Sequence, residues 1–288
     1  MTKKETSMVF DLEKPEYSIV VPCYNKFKFT KTCLESVIEV SKDYDYEIVV
    51  VANGCTDETE QYVLQLQKNL ETRIVLCSYR RPIGGGEAIN VGFKLARGEY
   101  LVTINNDCKI MGKEWLSLLR GPFDLDPSVA VTGPLELKFP EINSSFIVFF
   151  CAMTRRKILD RIGYLDTETF KIGGCEDIDF CERAKRSGFR IQQVPPEPPV
   201  VVEKTTIDEF DDQWRNGSGK EVLHLNAGNF PIFHSSEGTV HDPNLVQNWS
   251  EILGGNRMII LNRYLPIDMP ASVREEILNR TRKHRSLG

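Results

Sequence analysis

The chain has no long hydrophobic run. Across its 288 residues the longest apolar stretch is Phe146 to Met153, far below the ~20 residues that a membrane-spanning helix requires. The opening Met1-Thr2-Lys3-Lys4-Glu5 has no apolar segment behind it that would read as a secretion signal. These absences predict a chain with no integral membrane segment, working in the cytoplasm. An excess of positive charge is also lacking. The 36 Lys and Arg against 41 Asp and Glu give a net charge of −5, which argues against a nucleic-acid partner. A small anionic ligand stays open, because a metal ion or a helix N-terminus supplies positive potential locally. No Cys-x-x-Cys occurs. The eight cysteines (Cys23, Cys33, Cys55, Cys77, Cys108, Cys151, Cys175, Cys181) are scattered, which predicts reduced, mostly buried thiols. Neither a Walker A loop nor Gly-x-Gly-x-x-Gly is present, so Arg80 to Glu87, although Gly-rich, reads as a loop before a helix. There is no internal repeat.

What is present is enough apolar material for a sizeable core, 41% hydrophobic, under a surface with 27% charged residues. Tyr17 to Pro22, Glu47 to Val51, Arg73 to Cys77 and Tyr100 to Ile104 read as strands. Between them lie helical stripes. One carries Leu34, Val37 and Ile38, with Thr30 as its expected cap. A second carries Tyr62, Val63, Leu66 and Leu70 after a capping-box-like Asp57 and Glu60. A third carries Ala88, Val91, Leu95 and Ala96. Strands alternating with amphipathic helices predict an α/β fold with an open, mainly parallel sheet flanked by helices. Beyond residue 110 the alternation breaks. Helices are expected at Trp115 to Leu119, Arg155 to Ile162, and from Asp177 to before Gly188; strands at Val129 to Thr132, Phe146 to Met153 and Arg190 to Val194. Residues 203 to 230 read as loops, and the last ~45 as a helical extension with a basic tail, Arg280 to Arg285.

Ligands of open α/β sheets bind beyond the C-terminal strand ends. Three polar clusters fall there: Cys23-Tyr24-Asn25, Asn53 to Asp57, and Asn105-Asn106-Asp107. A carboxylate at such an end suits Mg2+ or Mn2+, although Asn and Asp also favour plain turns. A second acidic group, Glu176-Asp177-Ile178-Asp179, comes after Gly173-Gly174-Cys175. It suits the positive end of a helix dipole, and Asp179 to Arg183 and Glu182 to Arg186 have ion-pair spacing. It equally suits a general base, Asp177, whose pKa is raised by burial and by Glu176 or Asp179 as a second charge. His234 is a candidate metal ligand, with His241 and His224 as competitors.

Together these residues resemble glycosyltransferase family 2, the inverting transferases with a GT-A fold. Ser18-Ile19-Val20-Val21-Pro22-Cys23-Tyr24-Asn25 is similar to the family's first strand and turn. Glu47 to Asp57 is similar to its second strand and Asp-Asn-Gly-Ser-Thr-Asp loop. Gly98-Glu99-Tyr100-Leu101 into Asn105-Asn106-Asp107 resembles the segment ending in its Asp-x-Asp motif. Gly163-Tyr164-Leu165-Asp166 and Glu176 to Arg183 resemble the acceptor block, and His234 to Thr239 a later His-containing region. Residues 1–15, polar and without periodicity, read as a flexible arm; the resemblance implies a GT-A domain over 16–240, its nucleotide-sugar half at 16–110 and its acceptor half at 111–240. A helical segment over 241–288 would come next. It implies that Pro22 and Tyr24 line the base pocket, and that Asn25, Asn53, Asp57, Asn90, Asn105 and Asn106 lie along the donor. Asp107 and His234 would hold Mn2+ or Mg2+, and Asp177 would be the base with Glu176 beside it. The expected activity is transfer of a sugar from a nucleotide diphosphate, a UDP-sugar first, to a hydroxyl on a glycan, lipid-linked glycan or protein. A nucleotidyltransferase and a catalytically silent sugar-binding domain are the alternatives. The basic tail admits peripheral contact with an anionic membrane, beside the plainer reading of a solvated helix end.

Two residues depart from the family pattern. Ala52 stands where an Asp accepts from the base, so Asn53 is expected to substitute through its carbonyl. Asn105 replaces the first Asp of the metal motif, which leaves one formal charge and puts more of the coordination on His234. The Gln-x-x-Arg-Trp motif of processive members is absent; Asp212-Gln213-Trp214-Arg215 has another order.

Overall fold

The computed structural model describes residues 14–69, 73–195, 200–201, 224–226, 230–235 and 249–285. Residues 1–13 of the expected arm, Ser236 to Thr239, His241 and most of the 203–230 region lie outside the described residues.

Strand β1 (Tyr17–Cys23) leads to helix α1 (Phe27–Val40), β2 (Tyr46–Asn53), α2 (Thr59–Asn69), β3 (Arg73–Tyr79), α3 (Gly85–Leu95) and β4 (Tyr100–Ile104). Next come β5 (Cys108–Ile110), α4 (Trp115–Leu125), β6 (Val129–Gly133), the hairpin of β7 (Glu136–Phe139) and β8 (Ser144–Ile147), β9 (Cys151–Arg155) and α5 (Arg156–Ile162). The chain continues through α6 (Glu176–Arg186), β10 (Arg190–Gln193), β11 (Val200–Val201), β12 (His224–Asn226), β13 (Ile232–Ser235), α7 (Trp249–Tyr264) and α8 (Ala271–Arg285). Among the described residues, no helix is long and apolar enough to cross a membrane.

The main sheet has seven strands in the order β10-β6-β9-β4-β1-β2-β3. β1 runs parallel to β2 and β4, β2 parallel to β3, and β10 parallel to β6, while β9 runs antiparallel to both β4 and β6. The fold is therefore the expected mixed, mainly parallel sheet flanked by helices. Central strands covered on both faces must be apolar throughout, and β2 and β4 are buried at every residue. Alternation along β1 sorts the two cores. Ile19 and Val21 join Leu34 and Val37 of α1, Val63 of α2 and Trp115 and Leu119 of α4. Val20 faces the opposite way, with Phe93 of α3, Leu159 of α5 and Phe180 of α6. Helix α3 crosses β1 at Gly92, where a Cβ would stand 2.1 Å from Val20 Cγ1.

At the sheet's other edge a buried carboxylate locks the strand beginnings. Glu47 accepts from Ser18 Oγ (2.7 Å), from the Arg97 backbone N–H (2.6 Å) and from Arg97 Nε (2.9 Å). A buried charge is tolerable when it is paired and its lone pairs are satisfied, and Glu47 meets both conditions.

Three expectations change. Helix α1 starts at Phe27 rather than after Thr30, because Asp57 Oδ2 accepts the Phe27 N–H at 2.7 Å and caps the helix from a neighbouring turn. The run Phe146 to Met153 is two strands, not one. β8 belongs to the hairpin and β9 to the main sheet, with a corner at 148–150 between them. The C-terminal helices are part of the packed body: Ile260 and Leu261 of α7 are fully buried against Phe139, Phe170 and Ile178. All eight cysteines are free thiols, six of them buried.

Gly92→Ala is expected to destabilise the protein by about 1–3 kcal/mol, because the added methyl overpacks a helix–strand contact between rigid backbones. A urea midpoint lowered with unchanged slope would show it.

Candidate active site

Parallel pairing carries β1, β2 and β4 to one edge, and the three polar turns meet there. Most of their side chains are spent on holding each other. After β1, Asn25 and Lys26 both take left-handed φ (51° and 58°). Asn25 Oδ1 accepts from the Thr56 N–H (2.7 Å) and Thr56 Oγ1 (3.2 Å), tying the β1 turn to the β2 turn. Asp57 bridges the same two turns, accepting from Phe27 through Oδ2 and from the Thr59 N–H through Oδ1 (3.1 Å). Asn53 is buried; its Oδ1 accepts from the Ile83 N–H (2.7 Å) and its Nδ2 donates to Gly84 O (3.3 Å). Asn106 Nδ2 donates to Thr30 Oγ1 (2.9 Å), and Asn90 makes a two-way pair with the Leu165 backbone (2.9 and 3.0 Å). Five residues expected along the donor thus form the framework of the edge. In particular the Asn53 carbonyl is engaged by Ile83, so it is not presented in place of the missing Asp at Ala52, itself buried. Pro22, Tyr24 and Asn105 are half-buried on the same edge.

Asp107 differs. It is 4% exposed, and neither carboxylate oxygen has a hydrogen-bond partner among the described residues. Beside it, β13 pairs antiparallel with β5 in a register that sets His234 opposite Cys108. This brings His234 Nε2 to 3.3 Å from Asp107 Oδ1. The imidazole stacks on Phe150, ring centroids 4.2 Å apart and nearly coplanar at 3°. Phe150 lay inside an apolar run and gave no sequence signal. An unpartnered buried carboxylate next to an imidazole is costly unless a cation joins it. A carboxylate oxygen of Asp107, the Cys108 sulfur and a His234 nitrogen lie within 4.8 Å of one another. Burial, and then the charge of Asp107, pushes the Cys108 thiol far up, and that thiol points at Phe150 O (3.7 Å). A carboxylate with an imidazole, and oxygens from a diphosphate, fits Mn2+ or Mg2+ better than a thiol site would. His224 sits on β12, next to the strand that carries His234.

The acidic pair sits at the start of α6. Desolvation by the surrounding protein, and then the Asp177 charge, raises Glu176 above the carboxylate range. Asp177 is raised by the same desolvation, opposed by backbone groups of Ile178, of Asp177 itself and of Phe149. The Ile178 N–H meets Asp177 Oδ1 at 2.8 Å. Glu176 Oε2 has no hydrogen-bond partner among the described residues. Asp179 supplies no second charge to this pair. It is fully buried in the opposite direction, bound by Arg183 Nε (2.7 Å), Arg263 Nη1 (2.8 Å) and Tyr264 OH (2.6 Å). The two halves of the site meet at one corner. Phe149 contributes backbone to Asp177, while Phe150 accepts from the Asn105 N–H (2.7 Å) and stacks on His234. A cavity of about 660 Å³ lies between α3 and the 164–171 loop, lined by Ile83, Glu87, Lys94, Tyr164, Thr167 and Lys171 among others.

This arrangement has the architecture of the GT-A glycosyltransferases. A mannosyltransferase from Pyrobaculum calidifontis, solved with GDP-Man and Mn2+, superposes with a TM-score of 0.55 at 16% identity, covering 96% of this chain and 87% of that one. S. aureus TarS 1-349 with UDP-GlcNAc gives 0.54 at 19% identity, covering 93% and 72%. Residues 18–144 match the model of glycosyl transferase family 2, so this part of the chain is similar to that family. The O-antigen biosynthesis protein RfbC of Myxococcus xanthus is 28% identical over 215 residues, 62% of this chain and 16% of that protein. The poly(ribitol-phosphate) beta-glucosyltransferase of Bacillus spizizenii is 32% identical over 91 residues, 31% of this chain and 14% of that protein. The chain thus spans a small fraction of these relatives.

Mn2+ is expected to raise the Tm of the wild type and to leave that of Asp107→Ala unchanged. The metal-free Tm should stay within about 3 °C of wild type, since among the described residues the lost carboxylate makes no hydrogen bond and only the His234 contact. Differential scanning calorimetry with and without Mn2+ measures both.

Proposed function

We propose that this chain transfers a sugar from a nucleotide diphosphate donor to an acceptor hydroxyl, with inversion at the anomeric carbon. The observation that carries this reading is the Phe149-Phe150 corner, which joins an unpartnered buried carboxylate–imidazole pair to two carboxyls raised above their usual range. One part suits a leaving diphosphate and the other suits a general base.

Asp177 takes the proton of the acceptor hydroxyl as its oxygen bonds to the anomeric carbon. Attack comes from the face opposite the diphosphate, and the bond to the diphosphate oxygen breaks with its electron pair. A carboxylate with a raised pKa is better matched to that proton than an ordinary one. Glu176 beside it holds a second, competing charge and orients the acceptor. A divalent cation held by Asp107 and His234 would supply Lewis-acid stabilisation to the departing diphosphate. Pro22 and Tyr24 line the base side. The donors in the structural neighbours, GDP-Man and UDP-GlcNAc, support a sugar nucleotide as the substrate class. We take a UDP-sugar first, with a glycan, lipid-linked glycan or protein hydroxyl as acceptor. A nucleotidyltransferase would need a basic Gly-rich loop after β1. That position is instead a turn closed by Asn25 and Asp57.

Asp177→Asn should lower turnover about 10²–10⁴-fold with donor affinity nearly unchanged. Kinetics on the donor giving the largest thermal shift with Mn2+ would measure this; undiminished turnover would remove Asp177 from its role.

The pH dependence has a definite sign. The base acts deprotonated, and its folded pKa is raised, so kcat/KM should climb with pH through a limb above the ordinary carboxylate range. Raised carboxyls also cost stability once they ionise, as pH rises from the unfolded to the folded pKa. Glu176→Gln should therefore raise Tm at pH 8 relative to wild type and lose that advantage at pH 4. A Tm series across that range tests it.

A further inference from the structure

The turn that carries the carboxyl pair has little reason of its own to hold one shape. Gly173, Gly174 and Cys175 take φ of +113°, +86° and +76° in succession. Glycine gives up the most conformational freedom when fixed, and Cys175 adds the cost of a left-handed non-glycine residue. A restraint must come from outside the turn. It comes from α7, some eighty residues further along the sequence. Asn256 is buried, and its Nδ2 donates to Gly173 O (3.0 Å) and Gly174 O (2.8 Å).

That contact reaches the carboxyls through the backbone. The Gly174 backbone favours the ionised form of Glu176, and a Cβ on Gly173 would stand 3.5 Å from Glu176 Oε1. Further along, Arg263 of α7 clamps both sides of the same segment. Its Nη1 meets Asp166 Oδ2 and Asp179 Oδ1, each at 2.8 Å, and its Nη2 meets Thr169 Oγ1 at 2.9 Å. The Cys175 side chain is buried in the cluster that holds Ile260 and Tyr264. One turn further along α7, Ile260 and Leu261 are apolar and fully buried, and Asn is a poor helix former. An amide in that position serves the two carbonyls it binds.

We propose that Asn256 is a positioning residue for the transfer reaction, fixing the Gly173–Cys175 turn so that Glu176 and Asp177 face the acceptor. The inference rests on the proposed base role of that pair. Its test uses the full chain with Mn2+ and three probe donors, UDP-glucose, UDP-GlcNAc and GDP-mannose. Nucleoside diphosphate release, with water as acceptor, is measured for wild type, Asn256→Ala, Asn256→Ser and Asp177→Asn. Amide hydrogen exchange of residues 173–177 is measured in parallel and needs no turnover. Asn256→Ala should lower kcat about 10–100-fold, the scale of a misplaced catalytic group, with donor KM within about twofold. Exchange should quicken at 173–177 and stay unchanged in the C-terminal half of α6. Asn256→Ser keeps one donor and should recover part of kcat; it also serves if the alanine variant does not fold. Wild-type kcat and exchange in a folded Asn256 variant would overturn the positioning role. Wild-type turnover in Asp177→Asn would overturn the base reading, and the positioning role with it. Loss in Asp177→Asn beside normal turnover in Asn256→Ala would overturn the positioning role alone.

Discussion

Ile104, the last residue of β4, pairs with Cys151, the first of β9, and the site is laid out from that pair. β9 is antiparallel inside an otherwise parallel neighbourhood. The residues just before β9 therefore lie beside those just after β4. The Phe149-Phe150 corner comes to rest against Asn105-Asn106-Asp107, at the edge where β1 and β2 also deliver their turns. Had β9 been parallel, that corner would sit at the opposite end of the strands. The backbone contact with Asp177 and the stack on His234 both depend on this reversal. One choice of strand direction brings together residues 107, 149–150, 177 and 234.

The rest of the edge is built to be rigid and the chemical groups are left unsatisfied. Asn25, Asn53, Asp57, Asn90 and Asn106 spend their polar atoms on neighbouring backbone or hydroxyls. Each such bond contributes only about 0.5–1.5 kcal/mol net, but together they fix three turns relative to one another. Beside this rigid edge, two oxygens of Asp107 and one of Glu176 accept no hydrogen bond among the described residues. Buried polar groups are nearly always paired, so bare ones at the end of an over-determined frame are where a ligand's charge gains most. The frame offsets the cost of keeping them bare.

The nucleotide half was legible because its order is local. Apolar runs of β1, β2 and β4 alternate with helical stripes, and polar residues at strand ends are a consequence of that alternation alone. Asp107, His234 and the acidic pair were legible as residue types. The jobs of the amides were not: a turn Asn that binds a ligand and one that binds the next turn look alike in sequence. The Phe146 to Met153 run misled for a related reason. Its eight apolar residues satisfy burial in two different sheets, and hydropathy carries no record of the corner between them. Thr30 looked like a cap because nothing local reveals that Asp57, thirty residues away, caps α1 instead.

Asn256 marks where reading by local pattern ends altogether. The family match covers residues 18–144 and stops short of the carboxyl pair, which stands on a glycine turn lacking a stable shape of its own. Long-range contacts alone can aim such a turn, and here they come from a helix that sequence pattern set apart as an extension. Asn256 and Arg263 bind backbone carbonyls, a hydroxyl or already paired carboxylates, so neither carries a motif of its own. The same geometry explains why Asp179, two residues from the proposed base, stands apart from the carboxyl pair. Bound by Arg183, Arg263 and Tyr264, it pins α6 to α7. The two carboxyls that burial raises, Glu176 and Asp177, stand instead on the first turn of α6, outside that clamp.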